Sequence, residues 1–128
     1  MSRQTFLTIS APIACIVGLV ALFYPSLLLI SKGVVPDEPV KVWMTEVGIL
    51  LLSMGVILFL VRKQPDSITM KALLFGNMLI QLGLLVIEIQ AFLVGTITDI
   101  SGIIPNSILH VLLVIGFFYY WMKLKTNH

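Results

Sequence analysis

The chain has 128 residues, of which 59% are hydrophobic and 11% charged, with a net charge of +2 and a mean hydropathy of +1.08. A water-soluble domain carries about 25% charged residues, so this chain has too little polar surface to cover a soluble globule, and its natural solvent is lipid. Its basic residues sit in short clusters between apolar runs, a distribution that orients a membrane protein and offers no groove to nucleic acid.

The single cysteine, Cys15, forms no internal disulfide or metal cluster and reads as a small buried side chain. Arg3 followed by an apolar run resembles a secretory signal, but hydrophobicity continues to Ile30, so the segment reads as a retained span. Four apolar segments of about 20 residues follow one another, the length a bilayer requires. The first helix is expected over residues 5–30, interrupted at Tyr24-Pro25, where proline removes a backbone donor. Gly33 suits the left-handed position that closes it, and a polar loop, residues 34–39, leads to a second helix over 40–61. Arg62-Lys63-Gln64-Pro65 stops that helix. Asp66 or Ser67 can cap a third over 67–94. After the loop 96–102 a fourth runs over 103–122, with Pro105 tolerated in its first turn.

Short loops make successive helices antiparallel neighbours. The expected fold is therefore all-α, a polytopic membrane protein forming one antiparallel four-transmembrane-helix bundle over residues 1–128. Arg3, Arg62, Lys63, Lys71, Lys123 and Lys125 fall on one side of such a bundle, and only Lys32 and Lys41 on the other. The excess predicts an inner-membrane protein with both termini cytoplasmic. Tyr119, Tyr120 and Trp121 sit where an aromatic belt meets the cytoplasmic interface, and Trp43 fits the opposite one. Gly48 with Gly55, and Gly76 with Gly83, are spaced by seven residues, so each pair lines one stripe where a neighbouring backbone can approach closely. On that basis the second and third helices are expected to be in close contact.

Polar residues mark a site within these helices. Asn77, Gln81 and Glu88 fall within about 40° of one another around the third helix. Counted from the expected helix ends at about 1.5 Å per residue, Glu46 lies roughly 9 Å inside helix two and Glu88 roughly 8 Å inside helix three. Asn106 and His110 share one face of helix four, about 4 and 10 Å inside it, and Tyr24 marks the same end of helix one. Ser53, Gln81 and Asn77 extend the polarity toward the midplane, and the two amides read as contacts between helices. An acidic residue at a bilayer centre costs about 2.5–3.5 kcal/mol on insertion scales, so buried carboxylates call for partners.

Two glutamates and one histidine could ligate a metal, but no HExxH or ExxH spacing supports it, and no cofactor signature or nucleophile motif occurs. A carboxylate and an imidazole can instead exchange protons with a bound molecule. The pattern of Gly18–Leu29, then Gly48–Arg62, then a third helix ending at a glycine loop, resembles the DoxX-like small four-helix membrane proteins. Glu46 stands roughly where those proteins often carry a buried arginine or asparagine. The resemblance implies association with redox complexes or with assembly of other membrane proteins, and no single activity. The leading expectation is a polar pocket in the outer half of the bundle, formed by Glu88, Glu46, His110, Asn106, Tyr24 and Gln81, that binds a small lipophilic or amphipathic ligand. The alternatives are a proton-coupled small-molecule transporter acting as a homodimer, and an accessory subunit whose polar stripe faces a membrane-protein partner.

Overall fold

Helices start where short polar side chains take up the first free backbone N–H groups. Ser2 Oγ accepts from Thr5 at 3.1 Å, Asp37 Oδ1 from Val40 at 2.9 Å, and Ser67 Oγ from Met70 at 3.1 Å. In the computed structural model, which describes residues 1–125, these caps open α1 (Arg3–Phe23), α3 (Glu38–Val61) and α4 (Ile68–Leu93). The short α2 (Pro25–Ser31) and α5 (Ile100–Lys123) complete an all-α chain, with no strand among the described residues. Four of the helices, all but α2, are long and apolar enough to cross a membrane.

The break after α1 falls at Tyr24 (φ −132°, ψ 52°), because Pro25 has no N–H to continue the ladder and instead sits in the first turn of α2. Lys32, at the end of α2, is half-buried, and loss of water around its ammonium lowers its pKa. Two helices end alike. Gly33 (φ 71°) and Gly95 (φ 78°) adopt the left-handed conformation that glycine tolerates. Each is closed by a pair of backbone bonds: Gly33 to Ile30 and Val34 to Leu29, then Gly95 to Phe92 and Thr96 to Ala91.

Three helix starts lie earlier than the residue pattern suggests, α1 beginning at Arg3 behind the Ser2 cap. Pro39 fits the first turn of α3, which begins at Glu38. Likewise α5 begins at Ile100, since residues of a first turn need no acceptor four positions back, and Ser101 and Gly102 are accommodated there. Pro105 therefore stands inside α5 rather than in its first turn, where it cannot donate to the carbonyl of Ser101.

The chain divides into two compact units, Met1–Arg62 and the part from Lys63 onward. In the first, α1 packs antiparallel on α3 through backbone contact. A Cβ placed on Gly18 would stand 2.5 Å from the Leu52 nitrogen, and one on Gly48 2.5 Å from the Leu22 nitrogen. A Cβ on Gly55 would meet Cys15 Sγ at 2.6 Å and the Ala11 carbonyl oxygen at 2.8 Å. Such spacing brings helix axes close enough for dispersion contacts along their whole length, which substitutes for a hydrophobic driving force that lipid does not supply.

In the second unit, α4 packs antiparallel on α5 and buries Met70, Leu74, Ile103, Leu113 and Phe117. The expected glycine stripe of α4 is not used in this way, for nothing lies within 4 Å of where a Cβ on Gly76 or Gly83 would be. Aromatic rings gather at the chain-terminal end of the pair: Trp121 lies 5.6 Å from Phe75 and 5.9 Å from Phe118, with the Lys71 ammonium 5.5 Å from its centroid. Outward faces of both units are apolar, as at Leu50, Leu60, Ile87 and Leu112, the reverse of a soluble protein.

Gly48→Ala is expected to destabilise the α1–α3 pair by about 1–3 kcal/mol, the usual cost of overpacking, because the added methyl meets backbone. Gly76→Ala is expected to be neutral or slightly stabilising. Thermal unfolding of the two variants in one detergent checks the contrast, and equal shifts would refute it.

Candidate polar site between α4 and α5

Gln81 and Glu88 lie seven residues apart on α4, nearly two turns, and therefore on one face. Asn106 and His110 lie four apart on α5. Antiparallel packing sets Glu88 level with Asn106 and Gln81 level with His110. The result is a continuous array. Asn106 Nδ2 donates to Glu88 Oε1 at 2.9 Å and to Oε2 at 3.0 Å, and Ser107 Oγ donates to Oε2 at 3.3 Å. The same Asn106 Nδ2 stands 3.0 Å from His110 Nε2, and His110 Nδ1 stands 2.6 Å from Gln81 Oε1.

Donor and acceptor roles follow from these atoms. An amide nitrogen only donates, so His110 Nε2 accepts, and the proton of the ring sits on Nδ1, where it is donated to the Gln81 oxygen. Gln81, Glu88 and His110 are all buried, in helices that are otherwise almost wholly apolar. Measured from the observed ends at about 1.5 Å per residue, Glu88 lies about 8 Å and Gln81 about 18 Å inside α4. Because α5 starts early, Asn106 and His110 lie about 9 and 15 Å inside it. The array thus runs from one end of the helix pair toward its middle.

The residues expected to share this site divide into those the helix pair brings together and those it does not. Glu88, Asn106, His110 and Gln81 are joined by hydrogen bonds. Gln81, read from its spacing as a helix-to-helix contact beside Asn77, is both that and a member of the array. Asn77 is buried, but its Nδ2 donates to the Leu73 carbonyl of its own helix at 2.9 Å. Glu46 and Tyr24 belong to the first unit, and both are exposed there, Glu46 on α3 and Tyr24 at the α1–α2 break. Ser53, in the first unit, bonds back to the Ile49 carbonyl of its own helix at 2.8 Å. Ser107 was not anticipated. Its one signal is adjacency to Asn106, which places it about 100° round the helix, still within reach of a glutamate.

Among the described residues no three His, Cys, Asp or Glu side chains gather as a metal-binding group. An open apolar groove of about 260 Å³ is lined by Ile68, Lys71, Ala72, Phe75 and Trp121. It lies toward the other end of α4, about 25 Å along the helix from Glu88 at about 1.5 Å per residue. Chemically, the array can hold and exchange a proton, and it can present a carboxylate and an imidazole to a polar group. Compared with known proteins, the chain matches no family model, no curated protein and no solved structure.

Gln81→Leu removes the acceptor of the His110 Nδ1 proton and is expected to cost about 1–3 kcal/mol, the penalty of an unsatisfied buried donor. His110→Leu in the same protein is expected to restore part of that loss. A double-mutant cycle on thermal stability checks the coupling, and strictly additive losses would refute it.

Proposed function

We propose that this chain is an integral protein of the inner membrane, with both termini in the cytoplasm, that receives a small lipophilic or amphipathic ligand at the Glu88–Asn106–His110–Gln81 array. The observation that carries the reading is the joining of a carboxylate and an imidazole inside one apolar helix pair. A lipophilic molecule reaches such a place through the bilayer, and its polar end finds there the hydrogen-bonding groups that lipid lacks. Ligand handling with proton exchange at Glu88 and His110 is the chemistry this arrangement suits best. The charge asymmetry supports the orientation, since the clusters at Arg62-Lys63 and Lys123 would face the cytoplasm. A place among the DoxX-like proteins is compatible with this reading and adds no activity to it.

Mass spectrometry of organic extracts from purified protein is expected to find a small lipophile enriched in the wild type. Replacement of Glu88 by Gln is expected to reduce its recovery about tenfold, the scale of one lost hydrogen bond to a charged group. Equal recovery from both proteins would overturn the ligand reading. A C-terminal fusion to a green fluorescent protein is expected to fluoresce and one to alkaline phosphatase to be inactive; the opposite pair of results would reverse the topology.

A further inference from the structure

The end of α4 away from Glu88 carries a different surface. Ile68, Lys71, Ala72 and Phe75 recur at three- and four-residue spacing and so line one stripe of the helix. Trp121 of α5 stands beside them, its ring 5.6 Å from that of Phe75. Ala72 is too short to fill the space between the larger side chains, and an open groove of about 260 Å³ results. Lys71 is the polar residue of its lining. The groove opens outward: Ile68, Ala72 and Phe75 are exposed, and Lys71 and Trp121 are half-buried.

At about 1.5 Å per residue, Lys71 lies about 4 Å and Phe75 about 10 Å inside α4, and Trp121 about 3 Å from the end of α5. A lysine and a tryptophan so close to the ends of membrane-spanning helices stand at the level of the lipid headgroups, where amphipathic side chains settle. The Lys71 ammonium is 5.5 Å from the Trp121 ring centroid, within the roughly 6 Å over which a ring face attracts a cation. That contact holds the charge beside the groove. Among the described residues no carboxylate pairs with this ammonium. Nearby charge is mostly of the same sign, with Lys63, Lys123 and Lys125 at this end of the unit against Asp66, which accepts from the Lys125 backbone N–H at 3.4 Å.

We propose that the groove seats an acyl chain of one anionic phospholipid, whose phosphate rests on the Lys71 ammonium. Charge complementarity selects the headgroup: a cation with three donors, set among further lysines, favours a lipid of net negative charge over one that carries its own ammonium. The apolar lining selects the remainder of the molecule. It runs from headgroup level down to Phe75, about 10 Å into the helix, a depth that an acyl chain occupies by nature and a soluble acidic peptide does not reach. Its volume is below the roughly 300–1,000 Å³ of pockets that enclose a whole small molecule, and its open side suits a chain that continues past it into the bilayer. The site lies about 25 Å along α4 from Glu88 and does not depend on the polar array.

Trp121 serves as the reporter. The chain has two tryptophans, and Trp43→Phe, at an exposed position of the other unit, leaves Trp121 alone. The full chain carrying that substitution is placed in phosphatidylcholine vesicles containing a minor fraction of phosphatidylglycerol, with bromine on the acyl chains of one lipid or the other. Brominated phosphatidylglycerol is expected to quench Trp121 about fivefold more effectively, mole for mole, than brominated phosphatidylcholine, the scale of one lysine acting on an anionic lipid. Lys71→Gln is expected to bring the two lipids close to parity. Lys63→Gln removes the same charge outside the groove and is expected to leave the preference standing. Ala72→Leu fills the groove, keeps every charge, and is expected to weaken quenching by the anionic lipid. Equal quenching by the two lipids before any lysine is changed overturns the proposal. So does a Lys63→Gln variant that loses the preference as fully as Lys71→Gln, since that marks a diffuse surface field. Quenching by neither lipid means that protein covers the groove, whether other helices of this chain or a second copy, and overturns it as well. Soluble glycerol phosphate that abolishes the preference marks a site for the anion alone and overturns the lipid assignment. Should a groove variant fail to fold, the two-lipid comparison with and without Lys63→Gln decides. Lipophile recovery with Glu88→Gln is a separate readout, so the functional reading and this one fail independently.

Discussion

A carboxylate inside an apolar helix has to be satisfied by the helix beside it, and in this chain that demand fixes how α4 lies on α5. Glu88 meets Asn106 and Ser107 while Gln81 meets His110. Sliding one helix along the other by a single residue would shift it about 1.5 Å and turn its contact face by about 100°. Both links would then break together. Van der Waals packing of leucines tolerates such adjustments far better than directional bonds do. The array therefore sets the register of the pair, and the buried apolar residues around it fill in a geometry already chosen.

The α1–α3 pair solves the same problem without polar side chains. Gly18, Gly48 and Gly55 let the two backbones come so close that no side chain is needed to bridge them. Contacts of this kind carry no group that gains or loses a proton, whereas a carboxylate and an imidazole do. One half of the chain is thus held by shape alone, and the other by groups whose charge can change.

The spans, their order and the caps at Ser67 and Gly33 could be read from residue pattern because each rests on local chemistry: apolar length, a side chain that accepts an N–H, a backbone that tolerates positive φ. The member residues of the array could be read from helical periodicity on each helix separately. Which of them would meet could not, because that depends on the register between helices. Gln81 and Asn77 look alike in sequence, yet one bonds across to His110 and the other back to Leu73. Glycine spacing misled for a similar reason: Gly48 and Gly55 face a backbone, while Gly76 and Gly83 face open space. Depth was misjudged where polar loop residues were absorbed into a helix, as at Ser101 and Gly102.

The interruption at Tyr24-Pro25 has a consequence for fit to the bilayer. With 21 residues at about 1.5 Å each, α1 is about 31 Å long, close to the roughly 30 Å of hydrocarbon in a typical membrane. An unbroken helix from Arg3 to Ser31 would overshoot that thickness by nearly a half and would have to tilt steeply. The proline stop gives α1 a length that matches the hydrocarbon thickness and sets α2 apart from that span, with Leu27 and Ile30 exposed and Leu29 buried. A single missing N–H thus converts an overlong span into one of fitted length.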